Sequence, residues 1–350
     1  MTDPKVRRSL ERFRKQVRER ASATISRTFI RGVSGAARLT PLTDPARHNV
    51  RVIRDVAYTD SGRAAHRLDV YQPTIHKGPW PVVFYVHGGG FRLLSKDTHW
   101  IMGLAYARMG YVVFNVSYRL APKHPYPAAL QDVCAGYRWL IDNAAVYGGD
   151  LSRLIVAGES AGANLVTALS IATCYQRPEP WARAVYDLDV VPNVAVPSCG
   201  IFQVSNARRF ARRRRMPRWI DIALRDVSGV YLDRVNITRS GQLDLADPLI
   251  VFERGDEPER PLPAFFIPVG TKDPLLDDTR RLARALGQLG VPSRAVYYPG
   301  EIHAFHAMVW RRAARRCWRD TFAFIDRHLR EPAKSGHNRG LRGDNVAVAQ

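Results

Sequence analysis

Between residues 50 and 87, apolar and polar positions alternate in short runs that predict strands at Val50–Tyr58, Arg67–Tyr71 and Val82–Val86. The last of these is apolar throughout, opened by Pro81 and closed by a glycine run. Helical and strand patterns then take turns. A helix is predicted at Thr98–Met109, a strand at Tyr111–Val116, and a helix over Pro127–Ala145 that begins with proline, as helices favour at their first position. The strand Leu154–Ala157 runs into a small-residue turn and a helix from Ala161 to about Cys174, and an apolar segment Val194–Val204 follows. Pro263–Val269, the helix Leu275–Leu289, the strand Arg294–Tyr298 and the helix Ala313–Leu329 complete the series. Such alternation predicts an α/β fold, with a mostly parallel central sheet flanked by helices on both faces.

Residues 205–250 break that alternation, carrying an arginine cluster and then helical stretches with Trp219, Ile222, Leu224 and Tyr231. They read as a helical cap inserted between a first core part, 50–204, and a second, 251–333. Residues 1–49 are assigned to the cap side. There Val6, Leu10, Phe13 and Val17 recur at the period of an amphipathic helix, with Arg and Lys between them. The tail 334–350, rich in Gly, Asn and Arg at its start, is expected to be disordered.

Composition narrows the class. With 350 residues, 46% hydrophobic and 24% charged, the chain has the balance of a globular protein and can bury one large core. A net charge of +21 adds an attraction for anionic surfaces, concentrated in residues 1–20 and in the seven arginines of 208–218. No nucleic-acid motif accompanies it, so specific nucleic-acid binding is not expected. Arg7-Arg8 lacks the apolar stretch an export signal needs, and no run reaches the length of a membrane span. The expectation is a cytoplasmic protein, with peripheral contact to an anionic membrane surface as its further partner. Cys134, Cys174, Cys199 and Cys317 lie far apart without a CxxC pair, which argues for reduced thiols rather than a zinc site or disulfide framework.

The chemistry begins at Gly158-Glu159-Ser160-Ala161-Gly162, placed between a predicted strand and a predicted helix. In a GxSxG elbow a strained turn lifts the serine hydroxyl clear of the sheet, and side chains at either glycine would meet neighbouring backbone. A second motif, His87-Gly88-Gly89-Gly90, follows the strand Val82–Val86. Its bare N–H groups can converge on an oxyanion, with Gly88 shaping the turn, Gly89 and Gly90 donating, and Ala161 adding a third donor. His87 is expected to pin this loop rather than to move protons. An acid and then a histidine should follow in the chain. Asp273, after the strand Pro263–Val269, and His303, after Arg294–Tyr298, leave the carboxyl ends of strands, where open α/β sheets place their sites. Asp277 and Asp278 fall inside the next helix, where surface or dipole roles fit better. His306 is expected to point elsewhere. Phe91, Trp80 and the cap aromatics are candidates for an acyl pocket.

With these motifs, and with Tyr118-Arg119-Leu120-Ala121-Pro122, His124-Pro125-Tyr126-Pro127-Ala128, Asp273-Pro274-Leu275 and His303-Ala304-Phe305, the chain resembles the hormone-sensitive-lipase-like branch of α/β hydrolases over about residues 50–330. That branch includes the bacterial family IV esterases and arylacetamide-deacetylase relatives. The resemblance implies an α/β-hydrolase fold with a helical cap and a serine carboxylesterase acting on short- to medium-chain esters, without metal or organic cofactor. Glu159 stands where the branch often has Asp, Lys123 where it often has Glu, and Ala304 where Gly is common. Amide hydrolysis by the same groups stays open, as does a non-catalytic role binding small molecules or anionic surfaces.

Overall fold

A computed structural model describes residues 44–75, 77–210, 217–232, 243–330 and 346–348. The predicted N-terminal helix and most of the arginine cluster lie outside them. The strands are β1 (Val50–Ala57), β2 (Arg67–Pro73), β3 (Trp80–Val86), β4 (Val112–Val116), β5 (Gly149–Glu159), β6 (Val194–Ser198), β7 (Ala264–Gly270), β8 (Ser293–Tyr298) and β9 (Val346–Val348). They form one sheet in the order β1-β2-β4-β3-β5-β6-β7-β8-β9. β1–β2 and β2–β4 pair antiparallel, and every later pairing is parallel.

The helices are α1 (Trp100–Ala107), α2 (Ala128–Asn143), α3 (Ala161–Cys174), α4 (Pro180–Tyr186), α5 (Arg218–Leu232), α6 (Pro248–Arg254), α7 (Leu276–Gln288) and α8 (Arg312–Arg330). Successive residues of a strand point to opposite faces, and β3 shows what that does here. Val82, Phe84 and Val86 pack with Leu130, Val133 and Tyr137 of α2 and with α3, while Val83 and Tyr85 pack with Met102 and Tyr106 of α1 and with Cys317 and Phe324 of α8. Both faces are covered, so the central strands are continuously apolar. In α8 the buried Ala314, Cys317, Thr321 and Phe324 recur every three or four residues, giving one core-facing stripe on a helix that is otherwise rich in arginine.

Three features depart from the sequence expectation. The apolar segment Val194–Val204 is strand only to Ser198, because the chain must turn there to pass the elbow. α6 spans the expected 250/251 boundary and packs with α3 and α7 of the core. Within the tail expected to be disordered, Val346–Val348 pairs in parallel with β8.

Candidate active site

The carboxyl ends of β3, β5, β7 and β8 supply the site. β5 ends at Glu159 and α3 begins at Ala161, leaving Ser160 alone in the turn with φ 54° and ψ −114°. Such backbone costs about 1–3 kcal/mol and persists only when its surroundings hold it. Here Ser160 N donates to Ser198 O at 2.9 Å. The glycines explain themselves: a Cβ on Gly162 would lie 2.1 Å from the carbonyl oxygen of Val86, and one on Gly158 2.7 Å from that same atom. The elbow can therefore press against the end of β3 only as GxSxG.

His303 leaves β8 and Asp273 leaves β7, and the two loops are stitched together. Lys272 N donates to Glu301 O at 2.9 Å, Thr271 N to Tyr298 O at 2.9 Å, and Gly300 N to the Thr271 hydroxyl at 2.8 Å. His303 Nε2 lies 3.0 Å from Ser160 Oγ, and Nδ1 lies 2.9 Å from Asp273 Oδ2. Because a carboxylate only accepts, Nδ1 carries the proton and Nε2 faces the hydroxyl as an acceptor. The other Asp273 oxygen takes the N–H of Leu275 at 2.8 Å, so the carboxylate is fixed from both sides. Burial opposes the charged form of His303, but the Asp273 carboxylate and, after it, the Cys199 sulfur outweigh it together and hold the imidazole well above its usual pKa.

The rival acids are occupied elsewhere. Asp277 pairs with Arg280 at 3.4 Å on the outside of α7. Asp278 is not the surface group expected of it: fully buried, it accepts the N–H groups of Phe202 and Gln203 at 2.8 and 3.2 Å and the Arg209 guanidinium at 3.0 Å. That also takes Arg209 out of any membrane-facing basic patch.

The glycine loop follows β3. Gly89 and Gly90 have φ 112° and 60°, and among the described residues no protein acceptor takes either N–H. A Cβ on Gly89 would stand 2.2 Å from Leu93 O, one on Gly88 2.9 Å from Glu159 O, and one on Gly90 2.9 Å from Val227. Val227 belongs to α5, so this helix lies directly on the glycine loop. Tyr231 of α5 stacks on Phe91 with centroids 3.7 Å apart, and Tyr126 N donates to Tyr231 O at 2.7 Å. Arg92 pairs with Asp226, and Ser228 donates to Val204 O. Phe91 is thus packed beneath α5. Trp80 opens β3, six residues or about 20 Å before the site, and covers Gly148 at the far edge of the sheet, so it does not line an acyl pocket.

His87 is buried, stacks on Tyr118 at 4.2 Å, and donates from Nδ1 to Gly88 O at 2.7 Å. Burial, reinforced by the neighbouring His99, pushes its pKa down to about 3. A neutral imidazole in that position holds the loop, its one N–H committed to Gly88 O.

Sequence reasoning missed Glu159. Its carboxylate is buried between His99 Nε2 at 2.7 Å and His306 Nε2 at 2.9 Å. Burial would raise its pKa, yet the two imidazoles hold it well below the usual carboxylate range. Glu159 precedes Ser160 by one residue and His306 follows His303 by three, so this pair is a second tie between the two segments that face each other as Ser160 and His303. Replacing Glu159 by Gln takes the carboxylate from both imidazoles and leaves at least one of them without an acceptor. Such a loss costs about 1–3 kcal/mol and should lower the urea midpoint at unchanged slope. An unaltered midpoint would show that the carboxylate carries no such tie.

Fold and site together have the layout of a hydrolase built on an α/β sheet. Residues 83–307 match the family described by the alpha/beta hydrolase fold, and the chain belongs to that family, in its hormone-sensitive-lipase-like branch. Carboxylesterase NlhH of Mycobacterium tuberculosis is 32% identical over 241 residues, 67% of this chain and 70% of that protein. Esterase LipI of the same organism is 32% identical over 214 residues, 61% of each chain. Among solved structures, esterase LipW from Mycobacterium marinum superposes with a TM-score of 0.69 at 25% identity, covering 89% of this chain and 91% of its own. The protein is a carboxylic ester hydrolase. No helix among the described residues is long and apolar enough to cross a membrane, and the four cysteines are buried and unpaired with one another.

Proposed function

We propose that the protein hydrolyses short- to medium-chain carboxylic esters through an acyl-enzyme formed on Ser160. The observation that carries this reading is the unbroken line from Ser160 Oγ to His303 Nε2 at 3.0 Å and from His303 Nδ1 to Asp273 at 2.9 Å. Ser160 Oγ attacks the ester carbonyl as Nε2 takes its proton, and Asp273 keeps the tautomer and stabilises the imidazolium. Charge that develops on the carbonyl oxygen falls to the N–H groups of Gly89, Gly90 and Ala161. A single such donor is worth about 2.7–4 kcal/mol of barrier. The C–O bond to the leaving alcohol breaks as His303 returns the proton to it, and water repeats the cycle to release the acid.

The chain-length preference is supported by the branch resemblance, and α5, a cap element in this reading, lies with Val227 against Gly90. A p-nitrophenyl ester series from acetate to palmitate tests it. The expected result is a kcat/KM maximum between acetate and octanoate, with p-nitroacetanilide turned over far more slowly. Rates that rise through to palmitate would refute the chain-length assignment, and equal rates on the anilide would make the protein an amidase as much as an esterase.

A further inference from the structure

Cys199 follows β6 directly, at a positive φ of 43°, with its N–H bound to Pro268 O at 3.0 Å. Its Sγ, a ring nitrogen of His303 and a carboxylate oxygen of Asp273 all lie within 4.8 Å of one another. Nothing in ester hydrolysis as described uses this thiol. Cys199 and Asp273 are buried, while the His303 side chain is 35% exposed. The three positions are 74 and 30 residues apart in the chain, so only the fold brings them together.

We propose that Cys199, Asp273 and His303 form a binding site for a borderline-soft divalent cation, of which Zn²⁺ is the type, and that its occupancy switches the esterase off. One sulfur, one imidazole nitrogen and one carboxylate oxygen are a donor set that zinc accepts, with a fourth position left for water. Zinc bond lengths of about 2.0–2.3 Å in a tetrahedron separate the ligand atoms by about 3.3–3.7 Å. The 2.9 Å between Nδ1 and Asp273 Oδ2 must open slightly to reach this, and the sulfur, within 4.8 Å of both, must close in by no more than about 1.3 Å. Hard ions such as Mg²⁺ and Ca²⁺ prefer cages of oxygen and are disfavoured by the same donors.

On binding, the cation takes the place of the proton between Nδ1 and Asp273. That proton and the thiol proton pass to water, and the carboxylate is unchanged. With Nδ1 on a cation, His303 can no longer become an imidazolium stabilised by Asp273, and Nε2 is a poorer base. The glycine N–H groups are untouched. The rate constant of turnover therefore falls, while KM is preserved. The inhibitory consequence rests on the reading of His303 and Asp273 as base and orienting acid, but cation binding itself does not.

The test is a titration of chelator-treated protein with Zn²⁺ and, separately, Mg²⁺, using wild type, Cys199→Ser, Cys199→Ala and Cys317→Ser, each against its own metal-free rate. Wild type and Cys317→Ser should lose more than tenfold in kcat at micromolar Zn²⁺, recover with EDTA and ignore Mg²⁺. Both Cys199 variants should need at least tenfold more Zn²⁺. Co²⁺ should give wild type a thiolate-to-cobalt charge-transfer band that both Cys199 variants lack, a readout independent of activity. Equal zinc sensitivity in all four proteins, or a cobalt band that survives loss of Cys199, overturns the site. Failure of metal-free wild type to hydrolyse esters would instead count against the catalytic reading, with the cobalt spectrum still deciding the site.

Discussion

Ser160→Ala should lower kcat for a short p-nitrophenyl ester by about 10⁶, the scale on which triad-type hydrolases lose activity when the nucleophile is removed. The substitution deletes one oxygen and nothing that holds the elbow. The bond from residue 160 N to Ser198 O belongs to the backbone, and alanine at φ 54° is strained no more than serine there. Circular dichroism and the melting temperature should therefore match wild type, and the substrate should still bind. A rate within tenfold of wild type would mean that another group performs the attack.

Asp273→Asn should lower kcat by up to about 10⁴ and move the pH profile, whereas Asp277→Asn should change little. The sign of the pH effect follows from the base. As the proposed base, His303 works only when Nε2 is unprotonated, and the Asp273 charge, with the Cys199 sulfur, raises its pKa well above the ordinary 6.5. Activity in wild type should thus climb with pH through a midpoint on the alkaline side of an ordinary histidine, and fall away as pH drops through it. Removing the negative charge at 273 moves that midpoint to lower pH even as the plateau drops. His303→Ala should be as damaging as loss of the serine, while His306→Ala should act mainly on stability, because His306 faces Glu159. A larger loss from Asp277→Asn than from Asp273→Asn would reassign the acid.

Most of the frame was legible because its signals are local. The apolar run Val82–Val86 with the proline and glycines around it, and the passage from Leu154–Ala157 through GxSxG into Ala161–Cys174, each state their elements and limits within about twenty residues. Asp273 and His303 were legible one step further on, since each follows a recognisable strand and the carboxyl edge of a parallel sheet is where side chains converge. The Glu159 tie was not. Position 159 is the free position of GxSxG, and its partners stand 60 residues before it and 147 after it, so no spacing announces them. The same holds for Asp278, whose place in a helix suggested a surface role although the fold buries it against Phe202 and Arg209. Trp80 misled for the opposite reason: it is near the glycine motif in sequence, but a strand carries neighbours apart at about 3.3 Å per residue.

The central claim, that Ser160 Oγ is the atom that takes the acyl group, is tested most directly by covalent trapping. A fluorophosphonate ester should react once per chain, abolish ester turnover in proportion to labelling, and appear by mass spectrometry on Ser160 in the tryptic peptide 154–183. Ser160→Ala protein should take up no label under the same conditions. Complete inactivation with the phosphonate on a different residue, or full labelling of Ser160→Ala, would contradict the account.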